Sequence, residues 1–224
     1  MFGPPRAPGW PALLRDGDVL LRPYRRADAD AWAGVRRDSE QWLAPWEPTP
    51  PGRWSTYNST RAFHRLRRSH NRSAATGRSL PFAVVLADDG AERLVGQLII
   101  SNIVRRAFCS ATVGYWVDHR AAGGGITPTA LALAVDHAFG PGRLHRIEVN
   151  IRPENVASRR VVEKLRFREE AFHPRYLNID GDWRDHIGYA LTVEDVEPDG
   201  GLLARWHAVV AQRRQKSAGG VADQ

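Results

Sequence analysis

Arg120, Gly123 and Gly125 stand in the spacing Arg-x-x-Gly-x-Gly, after a strand-like run and before a helix opened by Pro128. Glycines without side chains let successive backbone N–H groups face one ligand. The helix N-terminus behind them adds roughly half a positive charge. Together they make a site for a phosphate or pyrophosphate; the plain alternative is a glycine-rich connection that holds nothing. A dinucleotide-binding fingerprint fits poorly, because its third glycine is missing and the preceding strand belongs to a meander. No Gly-Lys-Ser/Thr follows, which excludes a P-loop.

A second constellation lies in ENVASRRVVEKLRF, from Glu154. Asn155 and Ser158 are three apart on the first turn of a helix and therefore face the same way. An amide and a hydroxyl so placed can hold an amide-bearing ligand and present a proton. The alternative is simple helix capping by Asn155 beside an incidental serine.

These groups need a scaffold, and the chain supplies one. Residues 1–15 are rich in Pro and Gly and read as a flexible leader. A short strand starts at Asp18, and Asp28 is expected to cap a helix carrying Trp32, Val35, Trp42 and Leu43. Prolines from Pro45 end it. A long helix is expected from Ser55 to Ala75, stopped by Gly77. Three strands follow as a meander: Phe82 to Ala87, Arg93 to Ile103 after a DDG turn, and CSATVGYWVD after a charged tip at Arg105 and Arg106. Gly96 and Gly114 inside strand patterns suggest bulges or close backbone approach.

The second half alternates. A helix with Thr127 as N-cap buries Leu131, Val135, Ala138 and Phe139; LHRIEVNI is a strand; Asn155 to Leu165 is a helix. Strands over Phe167 to Ile179 and Asp185 to Leu191 close the domain. A last amphipathic helix within residues 193–215 carries Leu202, Trp206 and Val210, before a tail, 216–224, expected to be disordered. The pattern is α/β (α+β): a mixed, mostly antiparallel sheet with helices on both faces.

The two constellations together, some thirty residues apart, resemble the GCN5-related N-acetyltransferase (GNAT) superfamily. LRPYRRADADAW, EQWLAPWEP from Glu40 and YLNIDGDWRDH from Tyr176 look like the RimJ/RimL-type ribosomal-protein-alanine N-acetyltransferases. The resemblance spans residues 16–192. It implies an acetyl-CoA site, without metal, made by Trp116, Val117, Arg120, Gly123, Gly124, Gly125, Ile126, Thr127, Asn155 and Ser158. It implies pyrophosphate at the glycine loop, pantetheine at Asn155, and a helix residue that protonates the departing thiolate, here Ser158. A backbone N–H near Trp116 or Val117 would stabilise the oxyanion. Trp42, Trp46, Glu47, Tyr176 and Asp185 fall where the acceptor would bind; Trp42 and Trp46 either offer an aromatic wall to an ammonium or, as tryptophans at helical spacing, belong to the core.

Two departures stand out. Arg166 replaces the glycine usual at the end of the Asn-x-x-Ser helix, at a cost of about 1 kcal/mol if that backbone is left-handed. Thr112 replaces a glutamate that many relatives carry, so no general base is obvious; Glu148, Asp185 and His186 are candidates by type. An α-amine, with a pKa near 8, needs less help than a lysine near 10.4. This favours an α-amine acceptor attacking the thioester directly. Cys109 has no evident activating partner for a covalent route.

Composition bounds the rest. The chain has 224 residues with a single cysteine, which excludes a disulfide framework and any Cys-cluster metal site. The longest apolar runs are too short to span a membrane, and no secretory signal is evident, so a cytoplasmic protein is expected. The net charge is +7, and seven arginines with no acid lie between Pro48 and Ala87. Among these, Arg61, Arg65, Arg68 and Arg72 step by helical spacing, giving either a solvated face or an RNA- or ribosome-docking stripe. The stripe disfavours a polycationic acceptor such as an aminoglycoside or polyamine. The readings are therefore a protein α-amine acetyltransferase, a small-molecule amine acetyltransferase, and a non-catalytic RNA- or ribosome-binding module.

Overall fold

The computed structural model describes residues 7–219. In chain order its strands are β1 (Leu14–Asp16), β2 (Val19–Arg22), β3 (Leu80–Asp88), β4 (Ala91–Val104), β5 (Ser110–Val117), β6 (Arg146–Ile151), β7 (Arg168–Ile179) and β8 (Asp182–Thr192). They form one sheet in that order, except that β8 lies between β6 and β7. Every neighbouring pair is antiparallel save β5 and β6, which run parallel.

Side chains alternate across the strands, so β2 and β3 feed two cores. Val19, Leu21, Phe82 and Val84 pack with α5 (Ile126–Phe139), α6 (Val156–Lys164) and α8 (Leu202–Gly219) on one face. Leu20, Ala83 and Val85 pack on the other with α1 (Ala29–Asp38), α2 (Glu40–Leu43), α3 (Trp54–Tyr57) and α4 (Thr60–Ala75). Burial on both faces is why β3 reads LPFAVVLAD, nearly continuous in apolar residues. A short α7 (Val193–Val196) leads from β8 toward α8, whose first N–H groups donate to Asp136 of α5 at 2.7 and 2.9 Å.

Several local expectations are corrected. The first helix ends at Asp38, and Trp42 and Leu43 belong to the separate α2. The long helix is also divided: Ser59, accepting from the Ala62 N–H at 3.3 Å, starts α4 afresh after α3. Asp28 does not cap α1 through its side chain; Arg22 claims its carboxylate at 2.8 and 2.9 Å, with the Arg25 N–H at 2.7 Å. Gly125, at φ +83°, takes the N-cap place expected of Thr127, because a left-handed residue is needed there. Residues 7–15, expected to be loose, are tied down. Trp10 meets Phe82 edge-on at 5.3 Å, His137 Nε2 donates to the Gly9 carbonyl at 2.7 Å, and residues 14–16 form β1. From Lys216 the expected tail is helical through Gly219; residues 220–224 lie outside the described residues.

Candidate active site

The parallel seam between β5 and β6 is short. Ser110, Ala111 and Thr112 pair with Arg146, Ile147 and Glu148, and beyond them the strands separate. The resulting wedge is a cleft of about 140 Å³ lined by Val113, Gly114 and Tyr115 on one side and Val149 to Arg152 on the other, closed by Trp46, Asn155, Ser158 and His186. Gly114 has open space where a Cβ would stand, whereas a Cβ on Gly96 would meet the Trp116 carbonyl at 2.4 Å, so β4 and β5 press together there.

The register decides which backbone groups face the wedge. The Asp118 N–H donates to the Val95 carbonyl at 2.7 Å, and pairing runs unbroken from Gly96–Val117 to Ser101–Thr112. Antiparallel ladders alternate, so the Trp116 N–H points to β4 while those of Tyr115 and Val117 point into the wedge. Of the two residues expected to offer an oxyanion donor, Val117 is the one whose N–H faces away from β4, on the open edge of β5. The Trp116 side chain goes to the opposite core, with the Arg36 guanidinium 5.1 Å from its ring.

Asn155 caps α6, its Oδ1 accepting from the Ser158 N–H at 3.0 Å. The capping alternative is thus part of the structure, and it fixes the Ser158 hydroxyl over the wedge. There Ser158 Oγ lies 2.8 Å from the hydroxyl of Tyr115, which sequence reasoning did not single out. Burial raises the Tyr115 pKa and the bond to Ser158 opposes that; the net shift is upward, so the phenol stays protonated.

His186, one of three candidate bases, is the one in the cleft. Its Nδ1 lies 3.0 Å from the Arg184 carbonyl, an oxygen that can only accept, so Nδ1 carries the proton and Nε2 presents a lone pair. Burial lowers its pKa against the opposing effect of that carbonyl, aided by Arg152 and His173. The other two are occupied away from the cleft. Glu148 accepts from Arg146 at 2.8 Å, and Asp185 accepts from the Arg175 N–H at 2.7 Å within the β7–β8 hairpin. Cys109 precedes β5, its thiol donating to the Arg143 carbonyl at 3.2 Å, also outside the cleft.

After Val117 the chain enters the glycine loop. Gly123 and Gly125 have φ +87° and +83°, and Gly123 and Gly124 leave open space where side chains would be. Among the described residues no protein acceptor takes the N–H of Gly123, Gly124 or Gly125, and Ile126 and Thr127 add the free N–H groups of the first turn of α5. These groups suit a phosphate or pyrophosphate. Arg120 is exposed and grips Asp118 at 2.9 Å. Burial works to raise the Asp118 pKa, but the Arg120 bonds outweigh it and the carboxylate titrates below its usual range. Behind the loop, Thr129 Oγ1 donates to the Gly125 carbonyl at 2.9 Å and accepts from Trp206 Nε1 at 2.8 Å, so α8 braces the loop.

The expected acceptor residues divide. Trp46 lines the cleft, but the Arg152 guanidinium covers its ring at 5.3 Å. Trp42, 41% exposed, lines neither cleft nor cavity. Tyr176 stacks on His173 at 4.8 Å and meets His186 at 5.7 Å, one ring removed from the cleft. Glu47 lines a separate cavity of about 420 Å³ on the α1/α4 face, held by Arg36 at 2.6 Å. Arg36 itself is buried, with the Trp54 ring 4.6 Å from its guanidinium and Nε donating to Asn58 at 2.8 Å.

A wedge between parallel strands, a glycine loop at its mouth and a hydroxyl on the following helix define an acyltransferase. Residues 18–168 match the family model for the acetyltransferase (GNAT) domain, and the chain belongs to that family. Within it the chain is an N-acetyltransferase of the RimJ/RimL type. It is 30% identical over 180 residues to the [ribosomal protein uS5]-alanine N-acetyltransferase of Escherichia coli (strain K12), covering 76% of this chain and 87% of that protein. Mycobacterium smegmatis RimJ, solved in complex with CoA-disulfide, superposes with a TM-score of 0.84 at 41% identity, covering 90% of this chain and 96% of that one. The ribosomal-protein-S5-alanine acetyltransferase from Vibrio fischeri gives 0.74 at 27% identity, with 82% and 98% covered.

Proposed function

We propose that this enzyme moves an acetyl group from acetyl-CoA to the N-terminal α-amine of a ribosomal protein, in the cytoplasm. The observation that carries the reading is the wedge with its two walls. The N–H groups of Tyr115 and Val117 stand on one, and the Ser158 hydroxyl and the His186 ring on the other. Among the described residues no helix is long and apolar enough to cross a membrane.

Acetyl-CoA, when bound, supplies an activated acyl thioester. Gly123, Gly124 and Gly125, with the start of α5, hold its pyrophosphate by N–H groups and helix charge. The Nδ2 amide of Asn155 is free to donate to the pantetheine, since only Oδ1 is used in capping. Val117 N–H donates to the carbonyl oxygen as negative charge gathers there. His186 Nε2 receives the proton released by the attacking amine, directly or through water. Ser158 gives a proton to the departing sulfur and regains one from Tyr115, and the proton that His186 took from the amine returns to Tyr115 through solvent, so the hydroxyl pair ends the cycle neutral.

An α-amine near pKa 8 is partly neutral at physiological pH, which a single neutral histidine can serve. Mass spectrometry tests the reading. The purified enzyme with acetyl-CoA meets Ala- and Ser-started ribosomal peptides, terminus-blocked lysine peptides, spermidine and an aminoglycoside. One added acetyl on free-terminus peptides alone is expected; transfer only to the small amines would overturn the acceptor assignment.

A further inference from the structure

The cavity of about 420 Å³ lies between α1, α4 and strands β4 and β5, on the face opposite the α5 helix. It adjoins the cleft by two single-residue steps. Trp46 lines the cleft and Glu47 the cavity; Tyr115 lines the cleft and Trp116 the cavity. Its volume falls in the range of roughly 300–1,000 Å³ usual for sites that enclose a ligand.

The charges on its wall do not balance. Glu47 is taken by Arg36, which leaves Arg65 as the lining charge that makes no ion pair among the described residues. Arg65 is also one step of the stripe on α4. Arg61, Arg68 and Arg72 are exposed like it, and none of the four has a carboxylate within ion-pair distance among the described residues. The whole segment between Pro48 and Ala87 contains no acid to supply one. A polar group is open as well: His70 lines the cavity, and its buried Nδ1 has no partner among the described residues.

We propose that this cavity and the arginine stripe dock the segment that follows the acceptor's N-terminal residue, and that this segment is acidic. The inference rests on the α-amine reading and deepens it by naming the acceptor's chemistry. An acidic peptide uses both parts of the surface. Its carboxylates face Arg65 and the stripe, its backbone offers amides to His70, and its free end reaches the wedge beside Trp116. A nucleic acid would satisfy the arginines yet has no use for a cavity that ends on the reactive strand. A polycation is repelled by every unpaired charge on the surface.

The test uses peptides that share one first residue and differ downstream, carrying paired Glu, paired Gln or paired Lys. The expected result is a KM about tenfold lower for the Glu peptide than for the Gln peptide at low salt. The gap narrows as ionic strength rises. In the Arg65→Glu/Arg68→Glu double variant the order of the Glu and Lys peptides inverts. Equal KM values across the series would overturn the proposal. So would the absence of charge preference together with salt-steep binding of a short RNA duplex that the double variant loses, which assigns the stripe to nucleic acid. Anisotropy of C-terminally labelled peptides separates the two readings. Acidic-selective binding without acetyl transfer sinks the α-amine reading and supports the docking surface; transfer without selectivity sinks the docking surface alone.

Discussion

The hydroxyls of Tyr115 and Ser158 lie 2.8 Å apart, joining the middle of β5 to the first turn of α6 across the wedge. Each residue holds the other's rotamer, and Asn155 holds the turn that carries Ser158. The pair is therefore both a brace and a proton path. Ser158→Ala is expected to lower kcat about a hundredfold, the lower end of general acid contributions, with little change in the KM for acetyl-CoA. Tyr115→Phe lowers kcat by a smaller factor. The double variant resembles Ser158→Ala alone, because one path is being cut twice. Steady-state kinetics on a single acceptor peptide checks all three.

The pH profile carries the signature of His186. An α-amine acceptor makes kcat/KM fall with unit slope below about pH 8 as the amine is protonated. The His186 pKa is pushed below its ordinary 6.5 by burial, so its neutral form persists at neutral pH and is lost only in more acid solution. The slope is expected to steepen to two below that lowered pKa. In His186→Gln the plateau falls and the second limb disappears. A wild-type profile that keeps unit slope through this range removes His186 as the base.

Trp206 acts on the loop through Thr129. Trp206→Phe keeps an aromatic but smaller side chain and deletes the N–H that donates to Thr129 Oγ1 at 2.8 Å. The expected outcome is a severalfold weaker affinity for CoA, in line with about 1 kcal/mol for one buried hydrogen bond, with kcat at saturation nearly kept. Isothermal titration with CoA reads it directly.

Arg166 is a strained non-glycine at φ +57°, at the end of α6 where its N–H donates to the Glu163 carbonyl. It is exposed, so its side chain can be removed without opening the core. Arg166→Gly is expected to stabilise the protein by about 1 kcal/mol, raising Tm by about 2–4 °C, with kinetics unchanged.

Arg36 makes the opposite case. Its guanidinium is enclosed by Trp32, Trp54 and Trp116 and holds both Glu47 and Asn58. Arg36→Met fills the space but leaves Glu47 without its partner, and is expected to cost about 3 kcal/mol. Glu47→Gln/Arg36→Met recovers part of that loss. Chemical denaturation of the four proteins measures the coupling.

The sequence revealed what local spacing encodes. The glycine loop, the Asn155–Ser158 turn and the strand meander all depend on neighbours a few residues apart, and their residue types carry the geometry. Helix breaks at Ser39 and Asn58 were missed because apolar spacing continued through them, while the Ser59 cap that restarts α4 left only a faint signal. Tyr115 was hidden for another reason, and His186 stood out only by residue type, as one of three candidate bases. Tyr115 meets Ser158 across 43 residues, and the imidazole of His186 enters the wedge only through the pairing of β8 with β6. A histidine two residues after Arg184 looks like any strand histidine until that register exists. Glu47 was singled out for an acceptor, yet its guanidinium partner eleven positions earlier redirects it to the second cavity.

The three-residue seam between β5 and β6 has a mechanical consequence. Strands β1 to β5 and β6 to β8 are two panels stitched by a few rungs, with bare backbone edges flaring apart above the last stitch. A ligand whose amides bond to both edges continues the seam and becomes a temporary rung of the sheet. Occupancy and rigidity are then the same quantity: at a hundred times its Kd such a ligand adds about 2.7 kcal/mol of stability.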